Sequence, residues 1–306
     1  AVGELPNGKN IPIYMVYTYP SESEEKGENF FWAYTFSDIP LSWSSSSFMY
    51  LNYGEPDSHT FIHETGHLFG LLDYYPNIIP ETKEDEEPMV IPDPAGRIDM
   101  MDCSIGDETS FSKMYLNWAR PYQITDSCDF TVKSFGETGD VLLIANEWNK
   151  TVFDEYYLIE FYTPTNLNTY DVSFGNSQAK LPTVPGIKIY HVDARLAYVD
   201  SRKKPDSYCE MGFGIPSKNN MGFAHDNNTY KEPDKFQKNY LYELKLNHSN
   251  EMISGCATND NLYRAGDVIE NLPLNKGGTL NYKIVIEDLQ FGVATIKFEK
   301  IENSEK

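Results

Sequence analysis

The sequence predicts an α+β chain: a mixed-sheet domain built around one helix over residues 1–120, followed by a β-rich, sandwich-like domain over 121–306 packed upon it. Three observations lead there. Apolar residues recur at helical spacing between Phe61 and Leu72. Ahead of that helix lie short β-branched and aromatic runs bounded by Gly, Pro and Ser clusters. Beyond Pro121 the chain alternates in the strand manner, with no long helical period.

The elements follow in order. Ile11 to Tyr19 and Phe30 to Phe36 read as strands of an upper sheet, with Phe48 to Tyr53 as a third. Ser44 to Ser47, four serines in a row, read as a flexible loop between them. Gly54-Glu55-Pro56 signals a turn, and Asp57 and Ser58 are N-cap candidates for the helix that follows. Its apolar face would be Phe61, Ile62, Thr65, Leu68, Phe69 and Leu72. Glu81 to Pro88 is a charged loop, read as a solvated excursion, with a calcium site or cleft rim as the functional alternative. Later strands are expected at Val141 to Ala145, Tyr156 to Tyr162, Gly186 to Val192 and Tyr240 to Leu246, with a hairpin over Leu280 to Glu299.

The chemistry sits on the helix. His63-Glu64-Thr65-Gly66-His67-Leu68-Phe69-Gly70-Leu71-Leu72-Asp73 reads H-E-x-x-H-x-x-G-x-x-D. Two histidines four apart stack on one side of a helix and can reach one ion. Gly70 can take positive φ, ending the helix and returning Asp73 toward that ion. Three protein ligands leave the open position of a catalytic zinc rather than the closed cage of a structural one. Glu64 would then act as general base on a zinc-activated water and as acid toward the leaving amine. The bland reading is an ordinary amphipathic helix with two core or surface histidines. A bare H-E-x-x-H arises by chance in roughly one chain of this length per hundred, and Gly70 and Asp73 cut that by a further factor on the order of hundreds.

Downstream, Ile98-Asp99-Met100-Met101-Asp102-Cys103 resembles the Met-turn of metzincin-type zinc peptidases. Gly106 to Trp118, with Phe111-Ser112-Lys113 inside it, resembles the helix after the Met-turn in the M6 peptidases, the immune inhibitor A family. Glu155 to Glu160 and Pro185 to Asp193 are similar to strands of that family, and Leu262 to Asp267 is a weaker echo. The resemblance implies a zincin-like catalytic domain and a secreted or cell-surface zinc endopeptidase, bacterial by family, acting as a monomer on proteins or peptides. It implies His63, His67 and Asp73 as zinc ligands, Glu64 as catalytic base and Met101 as the Met-turn residue, with Met100 its rival. A structural calcium ion is a further candidate cofactor, compatible with the acidic composition but assigned to no loop.

Two departures stand out. Asn117 occupies a position where the family usually has glycine. The segment ahead of His63 is short for such a domain, implying either a start inside it, with upstream elements lacking, or a shortened variant. Two rivals follow: a peptidase whose third ligand is Glu81 or Glu84, and a catalytically weak or inactive surface-binding or adhesion protein on a zincin scaffold. The intact Glu64 argues against the second, and the short upstream segment for it.

Composition bounds the rest. Forty-six acidic against twenty-five basic residues give a formal charge of −21, with no basic block, so a nucleic-acid partner is not expected. No run approaches the roughly 18 apolar residues of a spanning helix, so no transmembrane segment is expected. Cys103, Cys128, Cys209 and Cys256 contain no C-x-x-C pair, which weighs against a cysteine zinc site. Cys103 is a candidate to pair with Cys128, buried thiols being the alternative. His191 reads as a hydrogen-bonded strand histidine or a cleft residue, and His59 as exposed or supporting the metal site. Tyr74 and Tyr75 are the nearest tyrosines able to stabilise a transition state.

Overall fold

The computed structural model describes residues 13–20, 34–38, 41–49, 58–75, 94–173, 182–199, 208–209, 221–223, 227, 241–243, 256–290 and 292–302. Its secondary structure is mixed, mostly strands with few helices. Backbone contacts divide the chain into two compact units, Ala1–Leu72 and Asp73–Lys306.

In the first unit, strands β1 (Ile13–Pro20), β2 (Tyr34–Asp38) and β3 (Leu41–Met49) form a sheet in the order β1-β3-β2. The sheet is mixed: β3 runs parallel to β1 and antiparallel to β2. The serine run is therefore not a loop but the middle of the central strand. Ser44 to Ser47 pair with Tyr14 to Tyr17 on one side, and Ser44 and Ser45 with Thr35 and Tyr34 on the other. Serine supplies the same backbone donor and acceptor as any residue, so neighbours on both sides satisfy the ladder despite a weak intrinsic preference. The third strand expected at Phe48 to Tyr53 is accordingly earlier, and residues 50–53 lie outside the described ones.

Helix α1 (Ser58–Leu68) follows, and the capping candidate Asp57 lies outside the described residues. Gly70 has φ of 93°, and the Leu71 N–H reaches back to the Gly66 carbonyl while the Gly70 N–H reaches that of His67. This paired closure stops the helix where the sequence places its end. The expected apolar face is a different matter. Ile62, Phe69 and Leu72 are exposed by 45%, 55% and 40%, whereas His63 and Glu64 are only 8% and 5% exposed. The helix turns its polar, motif-bearing side inward. Ile62 and Phe69, seven residues apart, share the outward side.

The second unit opens with a tight turn over residues 99–104 and helix α2 (Ser110–Tyr115), capped by Thr109. There follow β4 (Tyr122–Ile124), β5 (Cys128–Lys133), α3 (Phe135–Thr138), β6 (Val141–Ile144), β7 (Glu155–Tyr162), α4 (Asn168–Ser173) and β8 (Gly186–Asp193). Then come β9 (Leu196–Val199), β10 (Tyr208–Cys209), β11 (Met221–Phe223), β12 (Leu241–Glu243), β13 (Val268–Ile269), β14 (Tyr282–Gln290) and β15 (Val293–Lys300). One sheet has the order β12-β8-β7-β6-β4 and a second β13-β14-β15-β5, while β10-β9-β11 form a small third.

The two larger sheets share one apolar cluster. Leu142, Ile144, Tyr157, Ile159, Phe161, Ile187 and Ile189 of the first meet Ile269, Ile284, Ile286, Ala294, Ile296 and Phe298 of the second. Alternation along β14 and β15 buries every second residue against the other sheet, as expected for strands solvated on one side. β7 and β8 differ, since all eight residues of each are buried. On their second face the N–H of Ser110, the first residue of α2, donates to Glu160 Oε2 at 3.1 Å, and the Tyr190 hydroxyl of β8 donates to Glu160 Oε1. The Ile105 N–H likewise donates to Asp171 Oδ1, and the Ala257 N–H to the Gly96 carbonyl. These bonds tie Gly96, Ile105 and Ser110 to later residues of the second unit.

Among the described residues no helix is long and apolar enough to cross a membrane. The candidate Cys103–Cys128 pairing does not form. Cys128 is an exposed free thiol whose pKa is raised by partial burial and by Asp129 and Asp126.

A candidate metal centre

The site is a short continuous stretch, from the last two turns of α1 through Gly70 to Asp73. His63 and His67, one turn apart, have ring centroids 4.8 Å apart and planes near perpendicular. One ligand atom from each of His63, His67 and Asp73 lies within 4.8 Å of the others. Among the described residues this is the only such group of three or more His, Cys, Asp or Glu side chains. Two imidazoles and a carboxylate form a donor set that could hold a metal ion.

Local details aim the donors. His67 Nδ1 is 2.9 Å from the Leu71 carbonyl oxygen, which can only accept. A hydrogen bond to that oxygen requires the proton on Nδ1. The bond depends on the helix ending where it does, because the turn at Gly70 is what carries Leu71 back toward His67. The Thr65 hydroxyl donates to the Phe61 carbonyl at 2.6 Å, so this residue serves its own helix. Glu64 is nearly buried beside His63 and is not a member of the group of three. His59 lies obliquely against His63, with ring centroids 5.5 Å apart.

The predicted Met-turn is a closed turn. The Asp102 and Ser104 N–H groups donate to the Asp99 carbonyl, and the Met101 N–H to Asp99 Oδ1 at 2.7 Å. Met101 is fully buried and Met100 nearly so, so burial alone does not choose between them. Their backbones do differ: the Met101 carbonyl accepts from the N–H of Tyr74, the residue after Asp73. Tyr74 itself is fully buried, with its hydroxyl 2.8 Å from Ser112 Oγ. It is engaged inside the fold rather than presented to a substrate.

Two buried networks are not assembled from the sequence, although His191 and Asp99 within them are named there. Asp99, Thr109 and Ser112 form a buried hub: Asp99 Oδ2 accepts from the Thr109 N–H and from the Ser112 hydroxyl, both at 2.8 Å. Next to it, burial and the neighbouring Asp99 push the Glu108 carboxyl up to about 10. The second group lies at one end of β7 and β8. His191 stacks on Tyr157 at 4.7 Å and places Nε2 2.9 Å from Glu155 Oε1. Glu155 also accepts from the Asn275 and Lys276 N–H groups, while Arg195 and Asn275 hold Asp193. His191 is thus the hydrogen-bonded strand histidine and has no exposed surface. Two carboxylates in a strand as apolar as Glu155-Tyr-Tyr-Leu-Ile-Glu160 are the signal that marks such burial.

The charged loop Glu81 to Pro88, including the rival ligands Glu81 and Glu84, lies outside the described residues. Comparison with protein-family models, with curated proteins and with solved structures finds no match to this chain.

Proposed function

We propose that this chain is a secreted or cell-surface zinc endopeptidase of the immune inhibitor A type. The observation that carries the reading is the convergence of His63, His67 and Asp73, with Glu64 buried beside the first of them. Those three residues would hold the zinc, which supplies Lewis-acid polarisation of a water and of the scissile carbonyl. Glu64 takes a proton at its carboxylate and returns it to the leaving amine nitrogen. The Leu71 carbonyl holds the His67 ring in the tautomer that binds metal through Nε2. The turn over residues 99–104, with Met101 at its buried centre, fits the Met-turn that the resemblance implies.

Proteins or peptides are the substrates this reading requires. The strong negative charge weighs against nucleic acid. Digestion of casein tests the proposal with three samples: the untreated protein, Glu64→Ala, and protein stripped by a chelator. Cleavage is expected only in the first, with zinc retained by Glu64→Ala. Cleavage that survives in Glu64→Ala discards the mechanism.

A further inference from the structure

Asp73 lies in a stretch that is neither helix nor strand, three residues past the turn at Gly70. Regular secondary structure does not fix it, so its aim must come from elsewhere. The next residue, Tyr74, is anchored at both ends. Its backbone N–H donates to the Met101 carbonyl at 2.9 Å, and its hydroxyl lies 2.8 Å from Ser112 Oγ. The single Ser112 hydroxyl proton goes to Asp99 Oδ2, at 2.8 Å. The Tyr74 hydroxyl must then donate to Ser112, and the chain runs one way, from Tyr74 through Ser112 to Asp99. Asp99 is fully buried and is fixed by the N–H groups of Met101 and Thr109. The ring of Tyr74 meets Phe111 of the same helix at 6.1 Å.

We propose that Tyr74, Ser112 and Asp99 form a buried strut that holds Asp73 in position as the third metal ligand; this rests on the zinc reading above. All of it belongs to the second unit, so the carboxylate's position is set by α2 and by the turn over residues 99–104. None of the three touches substrate. They are positioning residues, acting through the backbone between Tyr74 and Asp73. Supporting partners of metal ligands are worth about 10–100-fold in metal affinity when they bond the ligand itself. One residue removed, the expected effect is the lower end, about tenfold.

The test is zinc affinity, measured by competition with a chromophoric chelator, in a cycle that crosses Tyr74→Phe with Asp73→Ala. Tyr74→Phe removes one oxygen and leaves the ring packed. It is expected to weaken zinc binding about tenfold when Asp73 is present and less than about twofold when Asp73 is alanine. Ser112→Ala should weaken it further than Tyr74→Phe, because it strands a buried hydroxyl. If Ser112→Ala does not fold, the Tyr74→Phe cycle alone decides. An unchanged affinity in Tyr74→Phe overturns the strut, and so does an equal loss in both backgrounds, which a merely structural role would give. Zinc held equally well by His63→Ala removes the zinc reading and the strut with it. The two failures are therefore distinguishable.

Discussion

His67 Nδ1 lies 2.9 Å from the carbonyl oxygen of Leu71, four residues on and just beyond the end of α1. The bond assigns the imidazole tautomer without reference to any metal, since a carbonyl offers no proton. Nitrogen-15 spectra of the histidine rings provide the check. His67 should carry its proton on Nδ1 in metal-free protein near neutral pH, and on adding zinc the Nε2 signal should be the one that moves. A signal shift at Nδ1 would contradict the assignment.

Glu64 is nearly buried and stands outside the ligand group, so removing its charge should separate catalysis from binding. Glu64→Gln is expected to lower kcat/KM on a peptide substrate by about 10²–10⁴-fold, the usual worth of a general acid–base. Zinc content by mass spectrometry should stay at the level of the unsubstituted protein. Loss of zinc together with activity would recast Glu64 as a ligand.

Glu108 makes stability depend on pH from an unusual direction. Its carboxyl is pushed from 4.5 up to about 10 by burial and by Asp99, so the folded protein holds a proton that the unfolded chain releases. A raised pKa contributes stability that is complete below about 4.5 and is lost progressively as pH rises toward 10. Glutamine keeps the shape and a donor toward Asp99 and cannot ionise. Glu108→Gln should therefore raise Tm, with a gain that grows between pH 5 and pH 9. Each kcal/mol is worth about 2–4 °C in a domain of this size. A gain that shrinks with rising pH would reverse the sign worked out here.

Asn117 has φ of 59°, in the left-handed region, at the end of α2. The Trp118 N–H reaches the Lys113 carbonyl at 2.7 Å and the Asn117 N–H reaches that of Met114, the same paired closure that ends α1 at Gly70. Asparagine is the non-glycine side chain that best tolerates this conformation. Asn117→Gly should be neutral or stabilising, and Asn117→Ala should cost about 1 kcal/mol in urea unfolding. Equal stability of the two would mean that the backbone does not need positive φ.

Residues close in sequence made the centre legible. Helical spacing, a glycine able to turn and an aspartate three residues later are local facts, and the structure draws His63, His67 and Asp73 together. The strands after Pro121 were legible because β-branched and aromatic runs separated by Gly and Pro carry a period of their own. What the chain conceals is pairing at long range. Ser44 to Ser47 look like a loop until β1 and β2 take up their backbone groups. Asp99 and Ser112 meet across thirteen residues, and Glu155 and His191 across thirty-six. The inward turn of α1 was missed for a related reason: hydrophobic spacing names an apolar side but not what lies opposite it.

The complete burial of β7 and β8 also bears on how this chain can change over evolutionary time. A strand with one wet face leaves alternate positions open to drift, as β14 and β15 do. β7 and β8 offer no such positions: one side shares the apolar cluster with the second large sheet, and the other is buried as well, with Glu160 meeting Ser110 of α2. Polar members of that pair, such as Glu160 and His191, are no freer than the apolar ones, because each answers a specific buried partner. Divergent copies of this protein should keep these sixteen positions long after the hairpin outside them has been rewritten.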